Sequence, residues 1–379
     1  MADVVSQLVA IDVKPGSASD SLSGLNLLHP KVYGRLENEG CGKDVAFVVI
    51  HPSSNFHGHY LLEPLRRRGR AIMALNTRFA ANDSSLVMER CIQDLGAGIR
   101  YLRNAGYKRI VLIGNSGGGS LAAFYQSQAE TLTVTTTPDG RPINLEPGDL
   151  PPIDGLALCA AHPSRAHTQT DWLDPAVVNE ADQFATDPAL DMFNPMHGPP
   201  FDREWVGAYR TAQLARNRRI TETALARIKA LEAVPDPELA KDGVFIVFRT
   251  AADPRFVDLT LDPSDRKAGA ARGSAKLSNF AATGLGRICM YRSWLSQWSV
   301  DMTRAHGPSC LEKTTVPVLA VNYTADPIIF PSQFAQWKAA SGERCTEYHL
   351  KGGTHHLQGQ DHLVEELADV LAEWAGGLR

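Results

Sequence analysis

Apolar and polar positions along this chain follow two periods in turn. Short, largely apolar runs at 44–50, 70–75, 110–113, 153–160 and 316–323 read as core strands. Between them, apolar residues recur at helical spacing. Val87, Cys91, Leu95, Ile99 and Leu102 mark the buried face of a long helix, with caps on offer in Asn82-Asp-Ser-Ser85 and a stop at Gly106. Further helices are predicted at about 60–68, 121–130, 331–340 and 360–375, and a strand at 346–350. Strands that alternate with helices predict an α/β fold, a mainly parallel sheet covered on both faces. The first 43 residues mix short apolar pieces with Gly, Ser and Asn, as strands and turns at a sheet edge would. Residues 132–152, rich in Thr, Pro and Asp-Gly, read as a surface excursion.

The alternation breaks between His162 and about Lys313. That segment holds a loop-rich stretch with Trp172, Phe184, Phe193 and Met196, a helical stretch at 201–233, a strand-like piece at 244–249 and a helical region at 278–305. A mostly helical block that interrupts a βα series predicts two units: a core of 1–161 and 313–379, and a cap over 162–312. The length of 379 residues agrees with a core plus a large insertion.

Composition narrows the function. A net charge of −4, with Lys and Arg spread along the chain, argues against nucleic acid as partner. The dense basic patch, Arg66-Arg67-Arg68 with Arg70, suits the end of a helix. The six cysteines are scattered with no C-x-x-C pair, which suggests neither a disulfide framework nor a zinc site, and Cys159 falls in a buried strand. The first residues lack a basic region followed by an apolar stretch, and no apolar run reaches membrane-spanning length, so a cytoplasmic protein without a membrane partner is expected. A homo-oligomer stays open. No G-x-G-x-x-G follows an N-terminal strand, which sets aside a nicotinamide-dependent enzyme.

The chemistry lies in Gly114-Asn-Ser-Gly-Gly118, set between the 110–113 strand and the 121–130 helix. Strand, G-x-S-x-G, helix is the setting of a nucleophile elbow, with Ser116 presented at the carboxyl end of the sheet. Serine is a weak nucleophile at neutral pH and needs a histidine base, which in turn needs an orienting carboxylate. Asp326 just past the 316–323 strand, and His356 just past the 346–350 strand, arrive in the required order. The neighbouring His355 reads as a loop residue, and Asp253, in a similar local setting within the insertion, as a structural turn. An oxyanion hole needs two donors: the Gly117 N–H, and one from the loop after Ile50, where Pro52 has no N–H and Ser53 comes ahead of Ser54. His51, His57 and His59 fit no zinc spacing. Ser120 would sit inside the helix, and Trp172, Trp205, Trp294 and Trp298 could line a hydrophobic pocket but read first as core of the insertion.

These motifs, with Asp94-Leu-Gly-Ala-Gly-Ile99 ahead of the elbow strand, resemble the α/β-hydrolase superfamily over about 1–161 and 313–379. His51-Pro52 departs from the His-Gly of many members. The resemblance implies hydrolysis of a carboxylic ester through an acyl-enzyme, with no cofactor and no metal. A large aromatic-bearing cap suggests a medium-sized apolar or aromatic small-molecule ester. Amide, thioester or carbon–carbon hydrolysis and acyl transfer share the same residues. A binding protein that has lost catalysis would lack one of Ser116, Asp326 and a histidine, and all are present.

Overall fold

The computed structural model describes residues 6–16, 29–236, 238–239, 241–270, 272–284 and 287–378. Parts of the predicted N-terminal edge, 1–5 and 17–28, lie outside the described residues. Eight strands form one sheet: β1 (Gln7–Asp12), β2 (Lys31–Glu37), β3 (Val45–His51), β4 (Ala71–Asn76), β5 (Arg109–Asn115), β6 (Gly155–Cys159), β9 (Val318–Tyr323) and β10 (Cys345–Leu350). Their spatial order is β1-β2-β4-β3-β5-β6-β9-β10. The β1–β2 and β2–β4 pairs are antiparallel, and from β4 onward every pair is parallel. The apolar runs account for the centre of the sheet, since every residue of β3, β4 and β6 is buried.

Helices α1 (Leu62–Arg67), α2 (Met88–Asn104), α3 (Gly118–Glu130), α9 (Pro331–Ser341) and α10 (Asp361–Gly377) connect these strands or close the chain. The start of α2 differs from the sequence expectation. Its first residues receive no side-chain cap from Asn82–Ser85, and the Met88 N–H donates instead to Ser296 Oγ at 2.8 Å. An open helix-end N–H takes the nearest acceptor in space, and here that acceptor lies 208 positions away.

Between β6 and β9 the chain leaves the sheet. It forms α4 (Arg165–Trp172), α5 (Arg203–Glu232), β7 (Val244–Ile246), α6 (Ala275–Phe280), β8 (Ile288–Met290), α7 (Tyr291–Gln297) and α8 (Gly307–Leu311). The helix expected over 278–305 is broken, because Ile288–Met290 pairs antiparallel with β7. Long α5 buries polar residues beside apolar ones: Gln213 Nε2 donates to Leu173 O, and Arg216 Nη1 to Asp174 O. Trp294 and Trp298 stack at 5.2 Å in an apolar cluster with Ile220 and Ala224, as expected of a core. Ser293 and Gln297 tie the segment to the main body through Leu86 O and Asp83 O. Among the described residues, no helix is long and apolar enough to cross a membrane.

Candidate active site

Parallel strands β5, β9 and β10 end on the same edge of the sheet, and the loops after them meet there. Ser116 follows β5 with φ of +55°, a left-handed conformation that costs energy for any residue with a Cβ. The turn is held by the Ser116 carbonyl, which accepts from the N–H groups of Gly119 (3.1 Å) and His162 (2.9 Å). Close packing dictates the glycines. A Cβ on Gly118 would lie 2.0 Å from the Ile50 carbonyl oxygen, so only glycine lets α3 start against β3.

His355 bridges the other two loops. Its Nε2 lies 3.0 Å from Ser116 Oγ, and its Nδ1 lies 2.6 Å from Asp326 Oδ2. Asp326 is almost wholly buried, and its second oxygen accepts from the N–H groups of Ile328 (2.8 Å) and Ile329 (3.0 Å). The carboxylate is therefore fixed: one oxygen holds two backbone N–H groups, and the other meets the imidazole. A serine hydroxyl bonded to an imidazole that a buried carboxylate orients is the arrangement that turns serine into a nucleophile.

The histidine predicted from sequence was His356, and the structure corrects it. His356 is exposed, with its ring set edge-on to that of His355 at 4.7 Å, and no hydrogen bond joins it to Ser116 or Asp326. The backbone explains the choice. The loop after β10 turns at Gly352 and again at Leu357, both with positive φ, and of the two adjacent rings it is that of His355 that reaches Ser116 and Asp326.

The second correction concerns Ser53. Its N–H donates to His51 Nδ1 at 3.0 Å, and the Ser54 N–H donates to the same atom at 2.8 Å. Neither N–H is therefore directed at Ser116. The two bonds instead fix the tautomer of His51, because a ring nitrogen that accepts cannot carry the proton. The hydrogen lies on Nε2, for which there is no acceptor among the described residues. A Cβ on Gly117 would sit 2.9 Å from that Nε2, so the imidazole edge lies directly against the residue after Ser116. Burial, aided by Arg165, His355 and His356, pushes the His51 pKa well below its ordinary value and keeps the ring neutral. Gly117 opens α3, where a backbone N–H has no intrahelical partner. Sequence reading took His51 as part of a polar loop and gave it no role at Ser116; its signal was the replacement of the usual glycine by Pro52, which removes a backbone donor.

Asp253 stands apart from this chemistry. It is buried between Arg210 and Arg255, accepts the Arg255 N–H, and caps a short turn, as expected of a structural residue. Burial works to raise its pKa, but the two guanidinium groups outweigh it and hold the carboxyl below the usual range. His57 and His59 turn away from His51: His57 Nε2 meets Tyr33 O, and His59 stacks on Tyr60 at 4.2 Å. Ser120 is buried within α3. Cys159 is buried in β6, and burial pushes its thiol up to about 12. Trp172, read first as core and otherwise as pocket wall, lines a cavity of about 290 Å³ together with Ser116, His51, Phe256 and Ile328.

No protein-family model matches the chain, and no curated protein matches it in sequence. Among solved structures it is similar to DcsB, determined in complex with its substrate analogue, at 12% identity over 99% of this chain and 100% of that one, with a TM-score of 0.51. It is also similar to the esterase domain of a Rhodothermus marinus protein (14% identity, 98% of each chain, TM-score 0.47). A third is haloalkane dehalogenase DbeA from Bradyrhizobium elkani USDA94 (17% identity, 98% of each chain, TM-score 0.46). With its strand order, its antiparallel first pairs and its strand–G-x-S-x-G–helix elbow, the chain has the α/β-hydrolase fold.

Proposed function

We propose that the protein is a serine hydrolase that cleaves a carboxylic ester through an acyl-enzyme, with Ser116, His355 and Asp326 as catalytic triad. The observation that carries this reading is the single imidazole of His355, within hydrogen-bond reach of both Ser116 Oγ and Asp326 Oδ2. Ser116 Oγ attacks the ester carbonyl while His355 Nε2 takes its proton. The tetrahedral oxyanion accepts from the Gly117 N–H and the neutral His51 Nε2–H, donors already in place before charge develops. On collapse the carbon–oxygen bond to the leaving group breaks, and the imidazolium gives that alkoxide the proton. Water then attacks the acyl-serine with His355 as base, and the acid and free Ser116 are released.

The segment 162–312 acts in this reading as a cap. Trp172 and Phe256 give the cavity an apolar wall, and its volume suits the acyl part of a medium-sized ester. A panel of nitrophenyl esters of rising acyl length, run beside the Ser116→Ala variant, tests the reading. Turnover by the native protein that the variant abolishes supports it. No turnover, unchanged turnover in the variant, or a serine-reactive phosphonate that labels another residue rejects it.

A further inference from the structure

The cavity beside Ser116 is unbalanced in charge. Three of its lining residues are arginines (Arg165, Arg272 and Arg287), and none of its lining residues is an aspartate or glutamate. Arg165 is neutralised, since Nη2 pairs with Asp83 at 2.9 Å and Nε donates to Gln297. Arg272 is exposed to solvent. Arg287 is the exception, with only 7% of its surface exposed. Its Nη2 donates to the carbonyls of Ser278 and Asn279, each at 3.0 Å, and its buried Nε has no partner. No carboxylate among the described residues forms an ion pair with it. Burial, with Arg216 and Arg272 as further like charges, lowers its pKa to about 10, so it remains a cation at neutral pH.

A buried cation without a counter-ion is costly, and proteins seldom retain one unless something compensates it. Carbonyl groups compensate part of the guanidinium here, and a full negative charge would complete it. The same cavity wall carries other buried donors without partners: Gln169, whose whole amide group is unbonded, and Trp172 through Nε1. Phe256, Ala270 and Ile328 give the wall apolar surface, and Thr168, Thr250 and Ser278 add neutral polar groups. Such a wall accommodates a hydrocarbon body and leaves one buried positive charge, Arg287, for its end, with Arg272 at the solvent side.

We propose that the substrate is an ester whose acyl part carries a free carboxylate, seated on Arg287 while the ester carbonyl lies at Ser116. The ester half of this statement rests on the hydrolase reading; the anion half rests on Arg287. Carboxylate is favoured over a phosphate dianion because the buried part of the site supplies one cation and otherwise neutral donors, while Arg272 is exposed and screened by solvent. The expected substrates are therefore monoesters of dicarboxylic acids, and Arg287 determines specificity without touching the reacting atoms.

The test compares 4-nitrophenyl monoesters of the diacids from succinic to suberic with the same compounds methylated at the free carboxyl. For the best chain length, the native protein should favour the anionic ester about ten- to a hundredfold in kcat/KM, mostly through KM, as a charged hydrogen-bonded contact would give. Arg287→Met should abolish that ratio and Arg287→Lys should restore part of it. Because the ratio is taken within each protein, any loss of folded enzyme cancels. A native ratio of one or less, or a ratio that Arg287→Met leaves intact, overturns the proposal. If neither ester is hydrolysed, the hydrolase reading fails, and the anion site is judged by calorimetric titration of Ser116→Ala with both compounds. Tighter binding of the anionic ester by about tenfold or more upholds it; equal binding overturns it.

Discussion

His51 and Gly117 meet edge to backbone: a Cβ on Gly117 would come within 2.9 Å of the imidazole Nε2. Two N–H groups on Nδ1 leave this Nε2 protonated, a donor set beside the residue that follows Ser116. If the ring holds the oxyanion, its loss should appear in kcat. His51→Phe, which keeps the volume and removes the donor, is expected to lower kcat about a hundred- to a thousandfold with KM little changed. Gly117→Ala should act in the same direction by displacing the ring. Steady-state kinetics on a nitrophenyl ester check both, and a His51→Phe enzyme with native kcat would exclude His51 from the oxyanion hole.

The adjacent histidines make a second test with opposite outcomes. His355→Ala removes the group between Ser116 and Asp326 and is expected to lower kcat/KM by about ten-thousandfold or more. His356→Ala removes an exposed ring and should cost far less than the hundredfold that loss of a general base brings. Measuring both variants on one ester decides the assignment. A larger loss from His356→Ala would return the role to that residue.

How far such residues could be read from sequence depended on the range of the interactions that position them. Ser116 was legible because its motif records local crowding: Gly118 must be glycine beneath Ile50, whatever the rest of the chain does. The central strands were legible because burial on both faces demands unbroken apolar runs. Asp326 came from strand order alone. His355 was missed because nothing in a His-His pair tells which ring a turn at Leu357 aims inward. The role of His51 depends on a turn that folds the N–H groups of residues 53 and 54 back on its ring. The start of α2 was misassigned because its capping acceptor, Ser296, belongs to a distant segment.

Acid should weaken the fold through its buried histidines. Burial, partly offset by the Asn115 side chain, lowers the His59 pKa from 6.5 to about 4. Above pH 6.5 the ring is neutral whether the chain is folded or not. As pH falls below 6.5 the unfolded chain takes up the proton first, so stability drops until pH reaches the folded value near 4. The contribution lost over that interval is on the order of 3 kcal/mol. Urea unfolding at pH 7 and pH 4 should show a smaller acid loss in His59→Gln than in the native chain, by about that amount. An equal loss in both would mean that His59 is not held neutral.

Gly118 offers a test of the scaffold apart from the chemistry. Helix α3 begins so close to β3 that one added methyl group would overlap the Ile50 carbonyl, which is backbone in the middle of the sheet and has no rotamer to change. Gly118→Ala must therefore push the helix start away from the strand. That should cost about 3 kcal/mol or more, the upper end of overpacking penalties. Because α3 carries Gly117 at its first turn, the same displacement moves the Gly117 N–H relative to Ser116 Oγ, so activity should fall even in the molecules that remain folded. The two effects separate in experiment: urea unfolding reports the stability loss, and the rate divided by the number of sites titrated with a phosphonate reports turnover per active molecule. A Gly118→Ala protein with native stability would show that β3 and α3 are farther apart than a Cβ-to-oxygen distance of 2.0 Å implies.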